Sequence, residues 1–99
     1  MKIKERSLKT IIRDEQVTKD GCYYRYKLMM TKSSKVASYR IPLYSIEIEM
    51  KDSFGELTEC SVENIFADLG KAVVFYDRMI RNLATPIDLP YIVEDEIFK

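Results

Sequence analysis

The chain has 99 residues, of which 46% are hydrophobic and 32% charged, with no histidine and a formal net charge of zero. This composition is typical of one folded domain and excludes a disordered chain of low hydrophobicity. The apolar runs are far shorter than the roughly 20 residues that a membrane-spanning helix needs, and the charged N-terminus is not followed by the apolar stretch of a signal peptide. We therefore predict a single domain over residues 1–99, located in the cytoplasm.

The absence of histidine limits the chemistry that the chain can perform. Histidine is the commonest general acid or base, so Ser–His and Cys–His catalysis in their usual form are excluded. The cysteines, Cys22 and Cys60, form no CxxC motif, and a zinc site would need an uncommon ligand set. We interpret both as reduced, inward-facing side chains. No constellation of carboxylates or lysines favours an enzyme, so we predict no catalytic residue, no metal and no cofactor.

Charge is distributed unevenly along the chain. Residues 1–40 carry eleven bases and four acids, whereas residues 41–99 carry five bases and twelve acids. Such asymmetry is found in proteins with a basic surface for nucleic acid or anionic lipid. It is equally expected where the two halves pack against each other, or against a second copy head to tail, and cancel.

The sequence pattern in the N-terminal third of the chain predicts a β-hairpin. Residues 1–9 are basic without clear periodicity, which indicates either a disordered start or an edge strand. A weak strand over residues 10–18 leads to Asp20-Gly21, a strong signal for a tight turn. The strand over residues 22–31 then has one apolar face, which we expect to be buried. That face consists of Cys22, Tyr24, Tyr26, Leu28 and Met30.

The opposite face of the same strand alternates an aromatic ring with bases. Rings that stack beside groups that contact phosphate are typical of nucleic-acid-binding surfaces. Tyrosines with basic neighbours are also common on ordinary half-exposed strands. Further bases follow in the polar turn and the segment after it. The candidate polyanion surface comprises Tyr23, Arg25, Lys27, Lys32, Lys35 and Arg40.

Residues 36–51 alternate in two phases, which predicts a bend or bulge near Pro42. After the bend, Tyr44, Ile46, Ile48 and Met50 point inward. The opposite face is expected to lie in solvent, and it consists of Ser45, Glu47, Glu49 and Lys51.

A hairpin turn is predicted at residues 52–55, because Asp, Ser and Gly favour turns. It leads to a strand over residues 56–62, whose Cys60 and Val62 point inward. Phe54, at the tip of this turn, is predicted to be exposed unless it caps the core or contacts a partner.

From Asp68 to Leu83 apolar residues recur every three or four positions, which predicts an amphipathic helix with Asp68 as its N-cap. Val74 projects away from the apolar stripe. Phe75 and Met79 lie at the edge of the stripe, so we expect them to be half-exposed. The candidate protein interface therefore consists of Val74, Phe75, Met79 and Phe54.

Thr85-Pro86 ends this helix, and Pro90 fits the first turn of a shorter helix over residues 89–97. We therefore predict an α+β fold: a three- to four-stranded antiparallel meander sheet with one face covered by the helix over residues 69–83 and a short second helix beside it.

Short motifs in the second half carry a resemblance. They are Tyr44-Ser45-Ile46-Glu47-Ile48, Val62-Glu63-Asn64-Ile65, Thr85-Pro86-Ile87-Asp88-Leu89 and Ile92-Val93-Glu94-Asp95. Over residues 44–96 the chain resembles a family of short, uncharacterised clostridial-type bacterial proteins, a domain of unknown function. The resemblance implies a small cytoplasmic bacterial protein and supplies no activity, substrate or cofactor.

Two functions are consistent with the sequence. The first is a non-enzymatic protein-interaction or regulatory module whose partner is another protein or a second copy of the chain, as in a homodimer. The alternative is binding of nucleic acid or another polyanion through the basic N-terminal half. We expect no membrane association.

Overall fold

Four antiparallel strands form one sheet in the computed structural model, which describes residues 7–33 and 42–98. They follow one another in chain order as β1 (Ser7–Lys19), β2 (Cys22–Ser33), β3 (Leu43–Lys51) and β4 (Leu57–Phe66). Two helices, α1 (Leu69–Arg81) and α2 (Leu89–Ile97), come after the sheet and pack on one of its faces. The predicted α+β meander is confirmed.

The β1–β2 hairpin turns at Asp20 and Gly21, whose φ angles of 53° and 81° are those of the tight turn that the sequence predicts. The pairing continues to Ser7 opposite Ser33, with Ile12 as the extra residue of a bulge in β1. Thirteen residues of strand span about 40 Å, twice the length of a thirteen-residue helix. The helices therefore cover only part of the hairpin, and none of the side chains described in β1 is fully buried.

The core lies between the helices and the middle of the sheet. The molecule measures 48 × 38 × 20 Å, and its smallest dimension is that of one sheet with one layer of helices. The strands contribute alternate residues and α1 contributes residues three or four positions apart. The side chains buried in this core include Tyr26, Leu28, Tyr44, Ile46, Ile48, Ala72, Phe75, Tyr76, Met79, Leu89 and Val93.

Two buried tyrosines join the layers through hydrogen bonds to backbone carbonyls. The Tyr76 hydroxyl of α1 donates to the carbonyl oxygen of Tyr26 at 2.8 Å. The Tyr26 hydroxyl donates in turn to the carbonyl oxygen of Ala84, also at 2.8 Å. Burial raises the pKa of Tyr26 to about 12, so this hydroxyl stays a donor at any physiological pH.

The helix α1 begins at the predicted place, because the Asp68 carboxylate accepts a hydrogen bond from the Gly70 backbone N–H at 2.8 Å. Its orientation differs from the prediction. Phe75 and Met79 are only 1% and 2% exposed, whereas Leu69 is 44% exposed. The predicted half-exposure of Phe75 and Met79 is therefore wrong. The helix is rotated so that the Phe75 ring packs against Phe66, with 5.2 Å between ring centroids, and an aromatic ring buries more area than a leucine.

A bulge in β4 explains a second difference from the sequence prediction. Tyr44 pairs with Phe66 and Ile46 pairs with Val62, so three residues of β4 lie opposite Ser45. Asn64, in the middle of them, has a φ of 54°, and its backbone N–H donates to the Ser45 hydroxyl at 2.9 Å. Ser45 is completely buried, so its expected place in solvent is wrong. The bulge takes the Asn64 N–H out of the ladder, and the hydroxyl supplies the missing acceptor.

The predicted bend near Pro42 falls mostly on residues 34–41, which lie outside the described residues. The strand β3 begins just after it, at Leu43. Cys22 and Cys60 are half-buried free thiols. Within the described residues, neither helix is long and apolar enough to cross a membrane.

Adjacent residues of α1 provide a matched test of the helix orientation. We expect Phe75→Ala to lower the free energy of unfolding by about 3–5 kcal/mol, because it opens a cavity in the core. Val74, 63% exposed, is the control: Val74→Ala should change stability by no more than about 0.5 kcal/mol. Urea unfolding followed by circular dichroism measures both. Equal losses at the two positions would mean that Phe75 is not part of the core.

The Ser45 hydroxyl offers a second test. Ser45→Ala leaves the Asn64 N–H without its acceptor, so we expect a loss of about 1–3 kcal/mol in urea unfolding. Ser61→Ala on the exposed part of β4 is the matched control and should be nearly neutral. A neutral Ser45→Ala would contradict a structural role for this hydrogen bond.

Candidate interaction site

Exposed large apolar side chains concentrate on the outer side of the helices. Among the described residues, nine large hydrophobic side chains are exposed, and six of them belong to the helices or the segments beside them. Exposed apolar residues mark interaction sites when they lie in one patch, whereas single ones are ordinary on a protein surface. The six are Leu69, Val74, Ile87, Tyr91, Ile97 and Phe98.

The outward face of α2 carries two aromatic rings with two acids between them. Leu89 and Val93 anchor the helix in the core. The spacing of an α-helix then turns the residues two and six positions after Leu89 to solvent. Tyr91 is 70% and Phe98 79% exposed, at the two ends of this face. We call this set the α2 outer strip: Tyr91, Glu94, Asp95 and Phe98.

The loop before α2 fixes where the strip lies. The Asp88 carboxylate accepts hydrogen bonds from the Thr85 backbone N–H at 3.1 Å and from the Thr85 hydroxyl at 2.9 Å. Pro90 lies in the first helical turn, where its missing backbone N–H is not required and its ring favours the helical φ. Together with the Tyr26 hydrogen bond to Ala84, these contacts hold the start of α2 at a defined place on the sheet.

An ion pair bridges the two helices beside the strip. The Arg78 guanidinium of α1 lies 2.7 Å from the Glu96 carboxylate of α2, and it also lies 5.7 Å from the centre of the Phe75 ring. Grooves open on both sides of this ion pair: Val74 and Lys71 line one, Tyr91 and Phe98 the other. We define the helix-layer groove as the surface formed by Val74, Arg78, Tyr91, Glu96 and Phe98.

Of the interface residues predicted from the sequence, only Val74 is an exposed side chain of the helix-layer groove. Phe75 forms part of the groove floor but is buried, and Met79 is buried in the core. Phe54 is 93% exposed at the tip of the β3–β4 turn, where the Asp52 carboxylate accepts hydrogen bonds from the backbone N–H groups of residues 54 and 56.

The sequence prediction missed Tyr91 and Phe98. A helical projection of residues 89–98 would have found them, because both lie opposite Leu89 and Val93.

The candidate polyanion residues of β2 lie on the sheet face opposite the helices, as the alternation predicts. Each of the two bases described there faces an acid. The Arg25 guanidinium donates two hydrogen bonds to the Asp14 carboxylate, at 3.0 and 2.8 Å. Lys27 lies 3.9 Å from Glu47. The Tyr23 side chain lies beside them and is half-buried, whereas Lys35, Arg40 and the side chain of Lys32 lie outside the described residues.

Acidic groups also gather on this face. Oxygen atoms of Glu47, Glu49 and Glu59 lie within 4.8 Å of one another, since Glu49 and Glu59 pair directly across β3 and β4. Such clusters are common on solvent-facing sheets, and Lys27 compensates part of the charge. At the far end of the face, Lys9 and Glu63 form an ion pair of 3.0 Å that joins the two edge strands.

Nearly the whole chain matches a protein-family model. A family model described as "Family of unknown function (DUF6514)" matches residues 6–99. This confirms the prediction of an uncharacterised family, and the match covers nearly the whole chain. Comparisons with curated proteins and with solved structures give no match.

The Arg25–Asp14 pair predicts a particular pH dependence. Its hydrogen bonds hold the pKa of Asp14 below the usual value of 3.8. A lowered pKa in the folded state means that the stabilisation is complete above the unfolded-state pKa and disappears as the pH falls through the folded-state pKa. The stability difference between wild type and Asp14→Asn should therefore be constant down to about pH 5 and vanish in stronger acid. Acid titration of the urea midpoint measures it.

Gln16→Ala, at an exposed position of β1 without a titratable group, is the control and should give no such pH-dependent difference. A difference for Asp14→Asn that is independent of pH would show that the lost stability does not come from the carboxylate charge.

Proposed function

Because the chain belongs to DUF6514, a family of unknown function, we propose its role from its surface: a non-enzymatic protein-interaction or regulatory module that binds a protein partner through the helix-layer groove. The observation that carries the proposal is the exposure of Tyr91 and Phe98 on either side of two acids, along a groove that an ion pair spans. This surface replaces the predicted flank of Val74, Phe75 and Met79, of which only Val74 is accessible.

The energetics favour use of this surface in binding. Fully burying an aromatic side chain contributes about 1.5–3 kcal/mol, and tyrosine and phenylalanine are enriched at the centres of interfaces. The groove is also pre-organised, because Arg78 is fixed between Glu96 and the Phe75 ring. Binding of a partner therefore costs little side-chain conformational entropy in the groove. Another protein, including a second copy of the chain, satisfies these requirements.

Nucleic-acid or polyanion binding through Tyr23, Arg25 and Lys27 is the alternative proposal. It has less support, since phosphates would have to displace Asp14 from a bidentate pair with Arg25 and approach the carboxylates around Lys27. A cytoplasmic location and a clostridial-type bacterial origin are further parts of our proposal.

Site-specific photo-cross-linking tests the interaction proposal. Benzoylphenylalanine placed at Tyr91 or Phe98 should form discrete adducts in the source cells, because a partner covers those side chains. The same group at Gln16, exposed on the opposite sheet face, should form none. Denaturing gels and mass spectrometry measure the adducts, and twice the chain mass would identify a second copy as the partner. Adducts at all three positions alike, or at none, would refute the proposal.

A further inference from the structure

The α2 outer strip is acidic as well as aromatic. The helix contains three acids, Glu94, Asp95 and Glu96, and no base. Glu96 is engaged by Arg78, whereas Glu94 and Asp95 are exposed between Tyr91 and Phe98 and form no ion pair with any described residue. The apolar contact area and the negative charge thus occupy the same face of the helix.

The position of these acids is the reverse of the one that helix stability favours. The C-terminal end of a helix carries a partial negative charge, which cations stabilise and anions do not. The helix α1 follows this rule with Arg78 and Arg81 in its last turn. The helix α2 has no base in its last turn, where Glu94, Asp95 and Glu96 stand. A cation supplied by another molecule would complement both the carboxylates and the helix end.

The same charges determine which partners the strip rejects. Nucleic acids and anionic lipid surfaces would bring phosphates toward Glu94 and Asp95, and like charges brought together at an interface oppose binding. Arg78, which lines the groove beside the strip, is already paired with Glu96. The strip therefore selects for positive charge while its aromatic rings select for apolar side chains.

Resting on the proposed interaction function, we propose that the partner is a cationic amphipathic helix that lies in the helix-layer groove. Its apolar residues would contact Tyr91 and Phe98, and its lysines or arginines would approach Glu94 and Asp95. Tyr91 and Phe98 are separated by two helical turns, about 10 Å, with both acids between them. An apolar face bordered by bases at the same spacing is the pattern of helices that bind in grooves.

Three synthetic peptides of about 15 residues, a length at which helices begin to form in water, test the proposal. All share one leucine and phenylalanine face, and their polar faces carry only lysine, only glutamine or only glutamate. Fluorescence anisotropy at low and high salt measures binding to the full chain. We expect the lysine peptide to bind most tightly and to weaken at high salt, the glutamine peptide to bind weakly, and the glutamate peptide not at all.

Charge reversal on the strip supplies the matched variant. The double variant Glu94→Lys with Asp95→Lys should weaken the lysine peptide about tenfold, the loss expected when two exposed ion pairs disappear. It should at the same time raise the urea midpoint, since it places cations at a helix C-terminus. The control is Glu56→Lys with Glu59→Lys, which changes the net charge equally at exposed positions in the β3–β4 turn and on β4 and should leave binding unchanged.

The outcomes separate this inference from the function on which it rests. If the glutamine peptide binds as tightly as the lysine peptide and Tyr91→Ala weakens both, the groove is an interaction site but its preference for cations is refuted. The inference is equally refuted if no peptide binds while Tyr91 and Phe98 still cross-link to a partner, or if the glutamate peptide binds best. A dimer mass in light scattering that Phe98→Ala reduces to the monomer mass would replace the cationic helix by a second copy. Failure of both peptides and cross-links would refute function and inference together.

Discussion

The arrangement of the helices depends on two buried hydroxyl groups. The Tyr76 hydroxyl of α1 donates to the backbone carbonyl of Tyr26 on β2, and the Tyr26 hydroxyl donates to the backbone carbonyl of Ala84. This relay of two hydrogen bonds connects α1, the inner strand β2 and the loop that leads to α2. A buried hydroxyl without a partner is costly, and each of these two donors has a carbonyl acceptor at 2.8 Å. The relay acts together with the Phe66–Phe75 contact to set the rotation of α1, and it holds the loop from which α2 begins. Both the burial of Phe75 and the exposure of Tyr91 follow from that geometry.

Electrostatics act differently on the two faces of the molecule. On the sheet face without helices, the positive and negative halves of the sequence partly neutralise each other. Lys27 on β2 lies beside Glu47 on the neighbouring β3, and Lys9 on β1 pairs with Glu63 on the opposite edge strand β4. On the helical face, no described base forms an ion pair with Glu94 or Asp95. Charge asymmetry along a sequence is therefore a poor guide to charge asymmetry on a surface, because strand pairing decides which residues become neighbours.

Local patterns in the sequence were sufficient for most of the fold. The alternation in residues 22–31 and 44–50 identified the buried face of β2 and β3, and Asp20-Gly21, Asp68 and Pro90 marked a turn and two helix starts. The errors concern tertiary contacts. Nothing in the periodicity of α1 indicated that Phe66 would draw Phe75 inward, and nothing near Ser45 indicated a bulge nineteen residues later in the chain, at Asn64. Tyr91 and Phe98 of the candidate site were missed for a simpler reason. The prediction for α2 considered the residues that it buries and not the aromatic residues that it exposes.

The bulge at Ile12 interrupts the outer edge of the sheet. The strand β1 lies at the edge of the sheet, and within the described residues nothing pairs with its outer side. Long, flat edge strands recruit further strands and initiate aggregation. Here the extra residue interrupts the regular spacing of backbone donors and acceptors, and charged side chains on an edge strand, such as Lys9, Arg13 and Lys19, hinder pairing with a further strand. These features disfavour the outer edge of β1 as a template for backbone pairing, so contacts between side chains become the easier route to association.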